Sequence, residues 1–494
     1  MERVGSRARR GILLASEHHE KMDLISGLPD PPVGGEKYDQ DLSRSLTFRE
    51  NVLITLSSVT PASSVFIILP AIIATVGGAS AMALALASVV GITVALAYAE
   101  LSSAFPITGG EYAFVARTLG KQIGFALFLL TLVSGVLIIG VIASGIGTYL
   151  GAIWSPLAGN WVGIVVVLIT TVVACFQIRT NAWVTGLFLV IELLAVGVLA
   201  VLGFTHVTQP VSTLWHGATP NGHGLMTTVG FGAIVAAVTT ALFALNGYGT
   251  AVYYSEETKQ ASKTIGRAIL WSLAITVAAE LIPLVAVILG TPSIAKLTSS
   301  SDPLNYFLTA RGGTTIDHVV SVGIAIAIIN AVLAIILQEG RLLFSAARDG
   351  SWPDWLNKPL ASVHSSLRTP VIATVVTGVL AALALWLMPF NIMLIVTGAS
   401  ILITYALVAL AAFVGRLNRS TARAPYKMPA WPWVPIVMLL ATIIVSYETW
   451  ISDWVPVVVA LAIFVAGVPY YYLYLYPRRG DRWTLPDAPD EELA

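Results

Sequence analysis

Thr60-Pro61-Ala62-Ser63-Ser64 and Asn246-Gly247-Tyr248-Gly249-Thr250 interrupt two long apolar segments at their middles, about 185 residues apart. Proline, glycine and small hydroxyl residues unwind a helix. At bilayer depth each freed N–H or C=O without a partner then costs several kcal/mol. Such a break persists only where something polar, such as a substrate, an ion or water, fills it. Broken helices at matching places in two halves of a membrane protein point to a carrier's binding site.

The surrounding chain of 494 residues is 56% apolar and 11% charged, with a mean hydropathy of +0.82. Soluble domains carry about a quarter charged residues, so the composition predicts an all-α polytopic membrane protein. Apolar runs long enough for a hydrocarbon core of roughly 30 Å recur about twelve times. They fall at 50–76, 80–103, 122–149, 161–178, 183–204, 227–254, 268–289, 319–345, 370–388, 391–414, 434–450 and 455–474.

Of the 27 Lys and Arg, only Lys296 and Arg311 lie in loops of one side. The positive-inside rule then places both termini in the cytoplasm. Residues 1–46, with Pro29, Pro31, Pro32, Gly34 and Gly35, read as a disordered cytoplasmic tail. Residues 477–494, ending on Asp487, Asp490, Glu491 and Glu492, read as a second, acidic one. The lone Cys175 allows neither an intrachain disulfide nor a Cys-based metal site, and His18-His19 reads as solvated tail. No cofactor or metal is expected, and zero net charge gives no sign of nucleic acid.

Each broken span opens a block of five predicted helices. Since five is odd, the blocks start on opposite sides and form an inverted-topology pair around a midplane site. The first repeat is assigned to 47–204, an extracellular loop to 205–226, the second repeat to 227–414, and helices 11 and 12 to 415–476.

Four motifs in order carry a family resemblance. Tyr98-Ala99-Glu100-Leu101-Ser102-Ser103-Ala104-Phe105-Pro106 is followed by Gly109-Gly110-Glu111-Tyr112, Arg117 and Gly120. Leu242-Phe243-Ala244-Leu245-Asn246-Gly247-Tyr248 runs on to Ser255-Glu256-Glu257. Lys263-Thr264-Ile265 precedes Arg267-Ala268-Ile269, and Arg341 precedes Ala347-Arg348-Asp349-Gly350 and Pro353. In this order and spacing they resemble the amino acid–polyamine–organocation (APC) superfamily of secondary transporters. The resemblance implies a LeuT-type 5+5 inverted repeat with discontinuous helices 1 and 6, alternating access, and movement of an amino acid or related amine. The chain departs from the family at two places. Ala62-Ser63-Ser64-Val65 stands where members usually carry Gly-Ser-Gly-Ile, and Glu192 stands where proton-coupled relatives often hold a lysine.

The candidate site follows from these breaks. The half-helix after the first one presents unpaired N–H groups and a positive dipole end suited to a carboxylate, which selects Ala62, Ser63, Ser64 and Val65. In the second break, freed carbonyls around Phe243, Ala244, Leu245 and Asn246 suit an ammonium, with Gly247 supplying permissive backbone. By resemblance, Phe243 is the aromatic gate. Asn330 and Tyr405, on the eighth and tenth spans, either contact substrate or hydrogen-bond a neighbouring helix.

Glu192 and Glu280 each lie 13 residues past a basic residue, Arg179 and Arg267. At about 1.5 Å per residue both reach mid-membrane, where an ionisable group is a functional hypothesis by default. Hydrocarbon disfavours the charged form, so both are candidate proton carriers, Glu192 the stronger by resemblance. Glu100, Glu256, Glu257, Arg341 and Arg348 fall near expected cytoplasmic ends. They form either a gating ion-pair network, with Glu100 and Arg341 as its candidates, or solvated helix-end charges. The expected function is proton-coupled amino acid symport across the cytoplasmic membrane, not an enzymatic one. An amine or polyamine carrier and an amino acid exchanger are the alternatives. An ion channel is a different class, without the filter loops or side-chain rings it needs.

Overall fold

In the computed structural model, residues 44–107, 109–176, 178–220 and 225–485 are described. His18, His19 and the acidic residues from Asp487 on lie outside them. The helices are α1 (Phe48–Val59), α2 (Leu69–Val76), α3 (Ser80–Ala104), α4 (Glu111–Thr118), α5 (Lys121–Ile153), α6 (Asn160–Ala174), α7 (Ile178–Thr205) and α8 (Phe231–Leu245). They continue as α9 (Ala261–Gly290), α10 (Ile294–Ser299), α11 (Pro303–Arg348), α12 (Asp354–Leu360), α13 (Val371–Leu387), α14 (Phe390–Leu417), α15 (Trp433–Ser452) and α16 (Trp454–Tyr470).

Each expected span falls mainly on helix, although 227–254 begins on strand and 161–178 runs past the end of α6. Among the described residues nine stretches are long and apolar enough to cross a membrane, and the first, Phe48–Ala104, runs through a tight turn at Gly77–Ala79. The apolar helices α6 and α13 are shorter. The sequence did not foresee α4, α10 and α12, which are too short to show a periodic face. Nor did it show that α11 starts at Pro303 and bends at Gly313, where φ is 77°.

Both expected tails are partly ordered. Leu46 is fully buried and exchanges hydrogen bonds with the backbone of Glu257 and Lys259. At the other end, buried Trp483 packs on Tyr112, Phe125 and Phe128 and donates from Nε1 to the Lys121 C=O at 3.0 Å. A large aromatic flanked by Arg, Asp and Gly gives no periodic signal, so its docking was not legible. The loop expected at 205–226 contains part of a hairpin, β1 (Ala218–Pro220) antiparallel to β2 (Met226–Thr228), which extends past the assigned boundary.

Packing places α11 centrally, against α5, α7 and α13, while α9 lies on α3, α7 and α1. Peripheral α15 and α16 both pack on α14, and they also contact α8 and α5 respectively. Leu440, Ile443, Ile444, Leu461 and Val465 on these two helices face outward. So much exposed apolar surface would promote aggregation in water and suits lipid. Trp154, Trp161, Trp433 and Trp454 are exposed at helix ends, where amphipathic rings sit at headgroup level.

Small residues set the closest helix approach, as in other membrane bundles. A Cβ on Gly290 would stand 2.5 Å from Gly203 Cα, and one on Gly203 only 2.2 Å from the Ala286 C=O. Nothing lies within 4 Å of a Cβ at Gly197, on the same helix as Gly203. Gly203→Val is therefore expected to destabilise the protein by about 1–3 kcal/mol through overpacking, and Gly197→Val to leave it near wild type. Thermal unfolding in detergent compares the two, and equal midpoints would refute this packing.

Candidate functional site

The first break is built by a strained residue and a proline. Helix α1 ends at Thr60, whose φ of 54° and ψ of 68° are left-handed. For a β-branched residue this is an outlier, costing about 1–3 kcal/mol and held only by its surroundings. Pro61 restarts the helix, and having no N–H it forfeits no bond at a helix start. One turn, Pro61–Ser63, leads into a π-helical turn, Ser64–Ile68, before α2.

In the second, α8 ends with Asn246 N–H on the Phe243 C=O, and Gly247 turns the chain at φ 119° into a 3-10 helix, Tyr248–Glu257. Gly247 is required twice over. Its φ excludes most side chains, and a Cβ there would lie 2.8 Å from Val59 Cα. The backbones of the two breaks therefore meet. Ser64 fastens them, its hydroxyl donating to the Ala244 C=O at 2.8 Å, with the Val59 C=O at 3.3 Å.

Two small cavities flank this junction. One, of about 30 Å³, is lined by Thr60, Ser64, Phe243, Asn246 and Gly247, together with Ser58, Thr250 and Gln338. The second, of about 50 Å³, shares Asn246, Gly247, Thr250 and Gln338 with it and extends to Tyr98, Glu111, Glu339 and Tyr405. Tyr405 donates to Asn246 Oδ1 at 3.2 Å and accepts from the Tyr248 hydroxyl at 3.1 Å.

Two carboxyls reach the first break from behind. Glu192 Oε1 accepts from Asn330 Nδ2 at 2.6 Å, and the carboxyl lies against the Ala62 backbone N–H, while Oε2 has no hydrogen-bond partner. Glu280 lies beside the Ser64 hydroxyl, but that single proton goes to Ala244, and both carboxyl oxygens are left without a hydrogen bond. Both side chains are fully buried.

Basic residues near several helix ends form ion pairs. Arg341 pairs with Glu257, both 1% exposed. Arg348 bridges Glu256 and Asp349, and Arg416 holds Glu100 through two bonds of 2.7 Å. Glu111 accepts from Tyr98 at 2.9 Å and from Tyr253. Burial pushes the Glu111 carboxyl above the usual range, with those hydrogen bonds acting in the opposite direction.

Ser64, Phe243, Asn246, Gly247 and Tyr405 thus gather around the cavities. Ala62, Ser63, Val65, Ala244 and Leu245 are buried without lining them, although Ala244 takes part through its carbonyl. Asn330 serves Glu192 rather than the cavity. Glu100 and Arg341 are ion-paired and buried, not solvated, with Arg416 and Glu257 as partners. Sequence reading assigned no role to Gln338 or Glu339, and Thr250 entered it only as the last residue of the second break. Glu339 was detectable as an intramembrane ionisable group, but two residues before Arg341 it reads as a helix-end charge.

The chain matches the family model described as amino acid permease over residues 46–473. A methylthioribose transporter of Bacillus subtilis is 23% identical, covering 91% of this chain and 97% of its own. A branched-chain amino acid permease of the same organism is 22% identical, covering 87% and 92%. Its serine/threonine exchanger is 25% identical, covering 76% and 84%.

Removing one partner of a buried ion pair leaves the other charge uncompensated. Arg341→Ala is therefore expected to cost about 3–5 kcal/mol of stability, and Glu257→Gln in that background to restore part of it. A double-mutant cycle on thermal unfolding in detergent measures the coupling. A stable single variant would show that the pair carries no such energy.

Proposed function

The chain belongs to the amino acid permease family, and on that premise we propose that it carries an amino acid across the cytoplasmic membrane by proton symport with alternating access. It is a transporter and not an enzyme. In this reading about twelve helices cross the membrane and both termini are cytoplasmic. Residues 47–204 and 227–414 form the inverted pair of five-helix blocks, with helices 11 and 12 in 415–476.

The observation that carries the proposal is the junction of the two breaks at the Ser64–Ala244 hydrogen bond, beside a small cavity of mixed polar and apolar lining and two buried carboxyls. The substrate carboxylate docks at the restart of the first helix, near Thr60 and Ser64. Its ammonium faces the carbonyls and Asn246 of the second break. Phe243 covers the ligand as the gate, and the ion pairs around Arg341 and Glu100 form the cytoplasmic gate.

Proton coupling follows from competition for one dipole end. A charged Glu192 already places an anion against the Ala62 N–H, at the positive end of the restarted half-helix. A second anion, the substrate carboxylate, is repelled while that charge persists, strongly so at low dielectric. Protonation of Glu192 removes the repulsion, so proton and substrate each favour binding of the other. Glu280 contributes in the same sense from the Ser64 side.

Glu192→Gln imitates the protonated form. In proteoliposomes without sodium it should retain binding with an affinity that no longer depends on pH, and lose accumulation driven by an imposed pH gradient. A variant that still concentrates substrate on the gradient would make Glu192 structural, as would a wild type that needs sodium and ignores it.

A further inference from the structure

The second cavity holds two carboxyls that the coupling scheme does not use. Glu111 is held between Tyr98 and Tyr253, whereas Glu339, 1% exposed, accepts only from Gln338 Nε2 at 3.1 Å and leaves Oε2 without a partner. Gly135 makes room for it, since a Cβ there would sit 2.0 Å from Glu339 Cδ. Among the described residues no Lys, Arg or His lines this cavity. Two buried acids facing one cavity with no basic partner repel each other when both are ionised, and a cation brought between them offsets that repulsion.

Size and position say what kind. A cavity needs roughly 10–15 Å³ to admit a water, which takes about 30 Å³ in the liquid, so about 50 Å³ accommodates an ammonium-sized group. Asn246, Gly247, Thr250 and Gln338 form a shared wall with the cavity at Ser64. A ligand anchored at the helix breaks therefore lies next to the acidic cavity. Hydroxyl and amide groups of Thr131, Ser134, Ser400 and Gln338 around the carboxyls supply the remaining acceptors for a three-donor head.

We propose that the cavity bounded by Glu111 and Glu339 binds the terminal ammonium of the substrate's side chain, so that the transported amino acid belongs to the dibasic, lysine-like class. This rests on the helix breaks being the substrate site. The relatives' names span branched-chain amino acids, serine and threonine, and methylthioribose, so kinship leaves the class open and the cavity decides it.

The test measures equilibrium binding to purified protein with lysine, norleucine and cadaverine as probes. Norleucine keeps the α-amino acid and lacks the terminal ammonium; cadaverine keeps both ammonium groups and lacks the carboxylate. Lysine should bind at least tenfold tighter than either, a comparison that needs no variant. Glu339→Gln should then weaken lysine at least tenfold more than norleucine. Norleucine equal to or tighter than lysine would overturn the acidic subsite while leaving amino acid transport standing. So would an equal loss of both in the variant, or norleucine binding promoted by sodium or acid with lysine excluded. Cadaverine tighter than lysine would instead overturn the amino acid reading on which the proposal rests.

Discussion

In hydrocarbon a freed backbone carbonyl has no water to accept from, and the fold around residue 64 answers that constraint. The Ala244 C=O, released where α8 ends, takes its hydrogen bond from Ser64, which belongs to the other interrupted helix. Such a bond needs the two backbones in contact, and Gly247 against Val59 allows it. The position of Phe243 over the junction, the shared wall of the two cavities and the approach of Glu280 all depend on this meeting point.

Polar groups divide into two sets with different chemistry. Arg341, Arg348 and Arg416 meet carboxylates at the basic end, where each charge has an opposite partner. Among the described residues Glu192, Glu280 and Glu339 instead have carboxyl oxygens with no hydrogen bond. A buried pair is costly to leave half-made, so these pairs hold the basic end together as long as both partners stay in place. Unpaired acids are costly as anions, so their state follows the arrival of a proton or a cation, as a coupled carrier requires.

Much of this was legible in the sequence because the signals are local. Apolar runs gave the spans, and Thr60-Pro61 and Asn246-Gly247 marked the breaks because proline and glycine act on their own backbone. Glu192 and Glu280 were found by counting residues from the basic flanks. Which side chain meets which was not legible. Nothing in the spacing joins Glu100 to Arg416, 316 positions away, or turns Asn330 toward Glu192. Glu339 was lost to the opposite error, a buried acid hidden among helix-end charges. Trp483 and the hairpin at Ala218–Thr228 belong to segments whose order comes from tertiary docking alone.

The central claim is that one substrate molecule bridges the two helix breaks. A structure of the purified protein in lipid nanodiscs with saturating amino acid tests it directly. Ligand density between Thr60–Ser64 and Phe243–Gly247 is the predicted result, with the substrate carboxylate toward the first segment. Density confined to the larger lateral groove of about 510 Å³ among Ala71, Ala233, Leu394 and Pro456, with the junction unoccupied, would contradict the account.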